Sequence, residues 1–223
     1  MKFQESPEAL HLRQQMVARQ VRGRGISDER VLGVMGEIPR HEFIPPASRA
    51  AAYMDQPVPI GSHQTISQPY IVALMTEHLA LQPSHTVLEI GTGCGYQTAI
   101  LARLCRQVYT IERIEYFSVQ AQRRLLALGI ENVRYHVGNG ARGWPRALAK
   151  AAHQATPSFD RILVTAAAAT VPEALLEQLA PAGRLILPLG PTDQQRLQLI
   201  ERIDDKTVER MLCYCRFVRL IED

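Results

Sequence analysis

The sequence predicts a doubly wound α/β fold: a mainly parallel sheet with an antiparallel edge, preceded by a helical and loop-rich extension. Three observations carry that reading. From Thr86 onward short apolar runs alternate with amphipathic stretches, the first run ends in a glycine-rich turn, and beyond Gly190 two strand-like runs follow with no helix between them. Regular β-then-α order requires right-handed crossovers, and so a parallel sheet with helices on both faces. Two adjoining strands add an antiparallel hairpin at one edge.

Taken in order, residues 8–22 read as a helix with Leu12, Met16 and Val17 toward the core, stopped by Gly23 and Gly25. Ser27 and Asp28 restart a short helix through Val34. Pro39, Pro45, Pro46, Pro57 and Pro59 make 39–67 loop-rich, and so long a loop in a compact domain is often functional. Helical spacing returns over 69–81, with Ile71, Leu74, Met75, His78 and Leu79 on an apolar face. Strands follow at 86–90, 108–112, 133–137, 159–165 and 184–189. Between them lie helices at 96–105 and 172–179, and another that sets Phe117, Ala121, Leu125 and Leu128 on one face before Gly129. Runs 195–203 and 208–220 form the edge hairpin. The expected organisation is one domain, with 1–82 as the extension and 83–223 as the core.

A chain of 223 residues that is 46% apolar can bury one sizeable core. Its 25 Lys and Arg against 22 Asp and Glu leave a charge of +3, too small and too mixed to suggest a nucleic-acid partner. Arg13, Arg19, Arg22 and Arg24 form the densest basic run, expected to be a solvated helix face. Cys94, Cys105, Cys213 and Cys215 lack the spacing of a zinc site and the density of a disulfide scaffold, so reduced thiols and a cytoplasmic location are expected. Cys213 and Cys215 share one strand face and read as packing. The first residues lack an apolar signal region and no stretch reaches membrane-spanning length, so neither export nor membrane association is expected. The seven histidines, at 11, 41, 63, 78, 85, 136 and 153, never take the i, i+4 spacing of a helical metal site, and no metal is implied. A monomer is expected.

The first strand runs into Glu89-Ile90-Gly91-Thr92-Gly93-Cys94-Gly95-Tyr96, with glycines at alternate positions where a strand turns into a helix. A dinucleotide fingerprint spaces its last two glycines three apart to seat a pyrophosphate, and here the third comes one residue early. With Glu89 ahead of it, the pattern resembles the first motif of class I methyltransferases. An acid beside the loop would favour a cationic amino acid end of a ligand over a diphosphate. Glu112 ends the second strand 17 residues after Gly95, where a carboxylate can accept from both ribose hydroxyls. Gly138-Asn139-Gly140 follows the third strand beside the place expected for adenine. The Asn139 side-chain oxygen could accept from the adenine amino group, although an Asn-Gly pair is also simply a favoured turn.

Beyond the loop, Arg40-His41-Glu42-Phe43-Ile44-Pro45, Tyr53-Met54-Asp55-Gln56-Pro57, Pro59-Ile60-Gly61, Gln64-Thr65-Ile66-Ser67-Gln68-Pro69-Tyr70, Gly143-Trp144-Pro145 and Leu187-Pro188-Leu189-Gly190 stand in an order that resembles the protein-L-isoaspartate O-methyltransferase family. The glycine loop is common to many methyltransferases; the Thr65-Ile66-Ser67-Gln68-Pro69 segment ahead of it is specific to this family. The resemblance implies a class I methyltransferase that uses S-adenosylmethionine to methylate the free α-carboxylate of L-isoaspartyl residues in damaged proteins and peptides. The resulting ester cyclises to a succinimide without further enzymatic help. It sets Ser67 beside the reacting carboxylate. Gln64, Thr65, Ile66, Ser67, Glu89, Gly91, Thr92, Gly93, Cys94, Gly95, Glu112, Arg113, Asn139 and Gly140 are assigned to the methyl donor. Read by itself, Ser67 is a candidate N-cap for the helix that starts near Pro69. Three positions depart from the family pattern: Asn139 stands where Asp is usual, Cys94 where Ser is common, and Arg219 in Phe217-Val218-Arg219-Leu220 where Pro is usual. Two other readings stay open at this point, a methyltransferase for another peptide carboxylate and a non-catalytic relative that binds S-adenosylmethionine.

Overall fold

The computed structural model describes residues 6–151, 157–204 and 206–222; His153 lies outside them. Helix α1 (Pro7–Gln15) starts at Ser6, whose hydroxyl accepts from the Ala9 N–H, with Pro7 in the first turn where a missing N–H costs nothing. It does not continue as one α-helix to residue 22. It widens into a π-helical turn, Met16–Val21, and tightens into a 3-10 turn, Arg22–Arg24, closed by Gly25 at φ +99°. Met16 is buried as the spacing required and Val17 is half-buried, but Leu12 is 40% exposed and Arg13 takes the inward place, with Val21 also buried. Arg13 buries its stem and donates through Nε to the Gly36 carbonyl at 2.8 Å, so the solvated face expected for the basic run excludes it. Helix α2 (Glu29–Glu37) is capped by Asp28 and runs a turn past Val34.

Residues 39–67 hold more order than their prolines suggested. Two 3-10 turns, Arg40–Phe43 and Pro46–Ala51, lead into a hairpin of β1 (Val58–Gly61) and β2 (Gln64–Ile66). Gly61 pairs with Gln64, and the two residues between them, Ser62 and His63, both sit at positive φ (48° and 56°). That is the backbone of a tight hairpin turn whose twist matches its strands. Helix α3 (Pro69–Leu79) follows and ends at Ala80 in the left-handed region.

The remainder alternates as expected, with one helix, α6, that the spacing had not marked: β3 (Thr86–Ile90), α4 (Tyr96–Leu104), β4 (Gln107–Glu112), α5 (Glu115–Ala127), β5 (Val133–Val137), α6 (Arg146–Ala151), β6 (Phe159–Val164), α7 (Glu173–Glu177), β7 (Leu179–Leu189), β8 (Gln195–Ile203) and β9 (Lys206–Cys215). The sheet order is β5-β4-β3-β6-β7-β8-β9, parallel from β5 to β7 and antiparallel from β7 to β9. The chain leaves β3 toward β4 and β5, then crosses to β6 on the other side of β3. That reversal opens a crevice at the carboxyl ends of β3 and β6, the usual ligand position in such sheets. One face of the sheet packs Val87, Leu163 and Ile186 against the helices and turns of residues 16–81 and against α4 and α5; the other packs Leu88, Ile162 and Leu185 against Trp144 and Leu175.

Two strand boundaries differ from the expected ones by several residues. β7 begins at Leu179, where it meets Phe159 before an irregular step at Ala182 (φ 57°) and Gly183. β9 stops at Cys215 because the Gln195 side chain takes both backbone groups of Phe217, accepting from its N–H at 2.6 Å and donating to its carbonyl at 3.1 Å. Residues 217–220 then run along Ala167, whose N–H donates to the Val218 carbonyl and whose carbonyl accepts from Leu220. Arg219 therefore sits at the carboxyl edge of the sheet and not on the final strand, where residues 208–220 had placed it.

A second amide clamp fixes the turn after β5. Gln178, 5% exposed, accepts from the Trp144 N–H at 2.8 Å and donates to the Trp144 carbonyl at 3.0 Å. Gln178→Ala leaves both buried backbone groups unpaired and should cost roughly 2–4 kcal/mol in urea unfolding, whereas a loss below about 1 kcal/mol would show that water replaces the amide.

Candidate active site

A cleft of about 320 Å³ lies at the carboxyl ends of β3, β4 and β6, within the range of small-molecule sites. The β1–β2 hairpin and the start of α3 wall one side, and residues 214–221 close another. Of the residues assigned to the donor, Gln64, Thr65, Ile66, Ser67, Gly91, Thr92, Gly93, Cys94, Glu112, Arg113 and Gly140 line it. Glu89, Gly95 and Asn139 do not. The lining also includes Thr165, Ala166 and the 214–221 segment, which spacing gave no reason to bring here.

The glycine loop explains part of this division. Gly91 and Gly95 sit at φ +94° and +91°, and a Cβ on either would meet protein, at 2.3 Å from Thr165 Oγ1 and 2.8 Å from Leu125 Cδ1 respectively. Both are bare so that the loop can pack against its own neighbours. Only at Gly93 is the space ahead open, with Ile60 Cδ1 at 3.8 Å.

The two acids have separate places. Glu112 ends β4 with 8% exposure, its Oε2 accepting from the Gly93 N–H at 2.7 Å and its Oε1 from the Ile114 N–H at 2.9 Å. Each oxygen keeps lone-pair capacity for a ligand, as the ribose reading requires. Glu89 is fully buried beneath the loop, and its Oε2 accepts from Thr98 Oγ1 and Thr110 Oγ1, both at 2.6 Å. Thr110 Oγ1 is also 2.7 Å from Thr92 Oγ1, which continues the network into the loop. Burial pushes the Glu89 carboxyl up to about 8, against the pull of the two hydroxyls and with a further rise from Glu112. A carboxyl that is mostly neutral and turned away from the cleft offers no charge to a ligand's amino group, so Glu89 is placed as a support for the loop.

Ser67 lines the cleft at the end of the β1–β2 hairpin, and it is not the N-cap its spacing suggested. Pro69 is the first residue of α3 and Gln68 the cap, with no side-chain capping bond. The Ser67 hydroxyl makes no hydrogen bond among the described residues. Its carbonyl is held by a residue that sequence reasoning noticed only as part of a motif: Arg40, with no exposed surface, donates through Nη2 to Ser67 at 2.7 Å and through Nε to the Ala52 carbonyl at 2.8 Å. The guanidinium stands 5.0 Å from the Tyr96 ring centre, and no carboxylate is paired with it among the described residues. No signal other than the motif could have found it.

Asn139 turns its Oδ1 to the Ala141 N–H at 2.9 Å, capping the 3-10 turn Gly140–Arg142. Asn139 does not itself line the cleft, whereas Gly138 and Gly140 on either side of it do. Cys94 and Cys215 also line it, and burial raises both thiols, Cys215 to about 12, so neither presents a thiolate at neutral pH.

The Glu89 shift has a stability consequence. A carboxyl that binds its proton more tightly when folded loses stability as pH rises from its unfolded value near 4.5 through about 8. Glu89→Gln abolishes that titration. The urea stability of the variant relative to the parent should therefore improve between pH 5 and pH 8.5, and a pH-independent difference would mean that Glu89 is ionised throughout.

Residues 12–223 match the family described as protein-L-isoaspartate(D-aspartate) O-methyltransferase. A relative in Trichlorobacter lovleyi named protein-L-isoaspartate O-methyltransferase is 50% identical over 210 residues, covering 94% of this chain and 93% of its own length. One of the same name in Methanoregula boonei is 49% identical over 209 residues, covering 94% and 92%. Among solved structures, a Plasmodium falciparum protein described by the same activity and determined with S-adenosyl-L-homocysteine superposes with a TM-score of 0.80 at 25% identity, covering 95% of this chain and 99% of that one. With residues 12–223 matching the family and relatives about half identical over more than nine tenths of both chains, this chain belongs to the protein-L-isoaspartate(D-aspartate) O-methyltransferase family.

Proposed function

We propose that the cleft holds S-adenosylmethionine against the glycine loop and Glu112, and sets the α-carboxylate of an L-isoaspartyl residue beside Ser67 for methylation. The observation that carries this reading is the meeting of the Gln64–Ser67 segment with the glycine loop and Glu112 around one cleft. The residues suit the donor. Glu112 has acceptor capacity for the two ribose hydroxyls, while Ile90, Ile111 and Ile114 offer apolar walls to a purine. Gln64, Thr65, Ile66, Thr92, Cys94, Arg113 and Gly140 complete the contact surface assigned to it.

The donor supplies a methyl group already activated by its sulfonium. An isoaspartyl carboxylate is ionised at neutral pH and needs no base, which fits a lining without histidine or aspartate among the described residues. The chain's task is alignment: Ser67 can donate to the carboxylate oxygen that does not react, and Arg40 holds the Ser67 backbone in place. Cyclisation of the ester to succinimide, with loss of methanol, follows after release, and addition of water across one imide C–N bond then opens the ring to a normal aspartyl peptide bond in part of the product. The same reading keeps residues 1–82 and 83–223 in one domain, supported by their common core, and places the chain in the reducing cytoplasm, supported by four free cysteines.

Labelled donor offered with matched Asp and isoAsp peptides should yield a base-labile methyl ester on the isoAsp peptide alone. Label on another carboxylate, or none, would overturn the reading. Ser67→Ala should lower kcat by roughly 10-fold with donor affinity barely changed, the scale of one hydrogen bond used in the transition state; an unchanged kcat removes Ser67 from the mechanism. Glu112→Ala should weaken S-adenosylmethionine in calorimetry by about 1.5–3 kcal/mol, and parental affinity would refute the ribose assignment.

A further inference from the structure

The mouth of the cleft carries charge that the methyl transfer itself does not use. Arg216 and Arg219 both line it, both are exposed, and neither side chain forms a hydrogen bond or ion pair among the described residues. Arg24, by contrast, is held by Asp55 and lies over the Tyr70 ring. Among the described residues the only carboxylate lining the cleft is Glu112, and each of its oxygens already accepts a backbone N–H.

The backbone beneath Arg219 is fixed. Hydrogen bonds from Ala167 to Val218 and from Leu220 to Ala167 flank it, and Gln195 clamps Phe217 just before. The Arg219 N–H takes no part in this pairing among the described residues, so the residue type at 219 is free to vary without unpairing the segment. What varies is the charge offered to whatever enters the cleft. A guanidinium held at a rim on a fixed backbone, with no acid of its own, suits a carboxylate brought by the other partner.

Building on the isoaspartyl reading, we propose that Arg219, seconded by Arg216, is a specificity-determining residue. It selects damaged segments that carry Glu or Asp beside the isoaspartyl residue. The group recognised is a side-chain carboxylate of the peptide, separate from the α-carboxylate that receives the methyl.

The test measures kcat/KM for isoaspartyl peptides flanked by Glu or by Lys, in the parent, Arg219→Gln and Arg219→Glu, at low and high salt. The readout is the ratio between the two peptides within each protein, so any general loss of folding or donor binding cancels. The parent should prefer the Glu-flanked peptide by about 10-fold at low ionic strength, and the preference should shrink as salt shortens the Debye length below about 8 Å. Arg219→Gln should bring the ratio close to one, and Arg219→Glu should invert it. If both peptides are methylated with one ratio in all three proteins, the inference is overturned and the isoaspartyl reading stands. If the parent methylates neither peptide, the isoaspartyl reading fails and the inference fails with it.

Discussion

The carboxyl of Glu89, buried where β3 ends, is the point from which the site is built. Its Oε2 takes the hydroxyls of Thr98 on α4 and Thr110 on β4, and Thr110 passes the connection to Thr92 in the loop above. Strand, helix and loop are thus tied within a few ångströms, without a charge at neutral pH that would need a counter-ion. The loop so held presents the Gly93 N–H to Glu112, whose carboxylate is thereby fixed at the cleft floor. Two glutamates in one small region divide the work by environment: the dry one is neutral and structural, the one that faces backbone N–H groups and the cleft is the acceptor.

The opposite wall depends on a different device. Arg40 is buried without a carboxylate, a costly arrangement that only good hydrogen bonds can support. It spends two donors on the carbonyls of Ala52 and Ser67 and lays its plane near the Tyr96 ring, while its Nη1 and the Tyr96 hydroxyl find no partner among the described residues. Burial drags its pKa below the ordinary arginine value, the neighbouring tyrosines and Cys94 opposing this only in part. An apolar residue could fill that space but would leave the buried Ala52 carbonyl and the half-buried Ser67 carbonyl unpaired. The guanidinium is what joins residues 46–67 to the first turn of α4.

Sequence and structure agree best where a regular period meets a strong terminator. The alternation from Thr86 to Leu189, the glycine loop and Glu112 at the end of β4 were legible because parallel strands read as apolar runs and the βα turn needs glycines. The β1–β2 hairpin was not, since its turn is Ser62-His63 at positive φ and lacks the Asn-Gly or Asp-Gly pair that marks such turns. The fate of residues 216–221 was hidden for another reason. An apolar stretch after a strand reads as more strand, and only the reach of the Gln195 amide, 22 positions away, takes Phe217 out of the ladder. Buried anchors such as Arg40 and Gln178 leave no periodic trace, because their partners are backbone carbonyls and N–H groups that every residue type possesses.

These features bear on what kind of catalyst the cleft can be. On the proposed reading both reactants arrive activated, one as a sulfonium and one as a carboxylate, so little is gained from acid or base groups and much from holding two atoms in line. Alignment of that kind fails if the two walls move independently. Here the donor wall is anchored through Glu89 to β4 and α4, and the acceptor wall through Arg40 to Ser67 on one side and to the Tyr96 ring of α4 on the other. Helix α4 is therefore common to both anchors. Displacing it shifts the loop and the Ser67 segment together, which preserves their relative placement better than two separate supports would. A buried cation with no acid partner is then less a defect than the consequence of needing one side chain to reach two carbonyls and an aromatic face at once, a task the planar fork of arginine suits and a lysine could not perform.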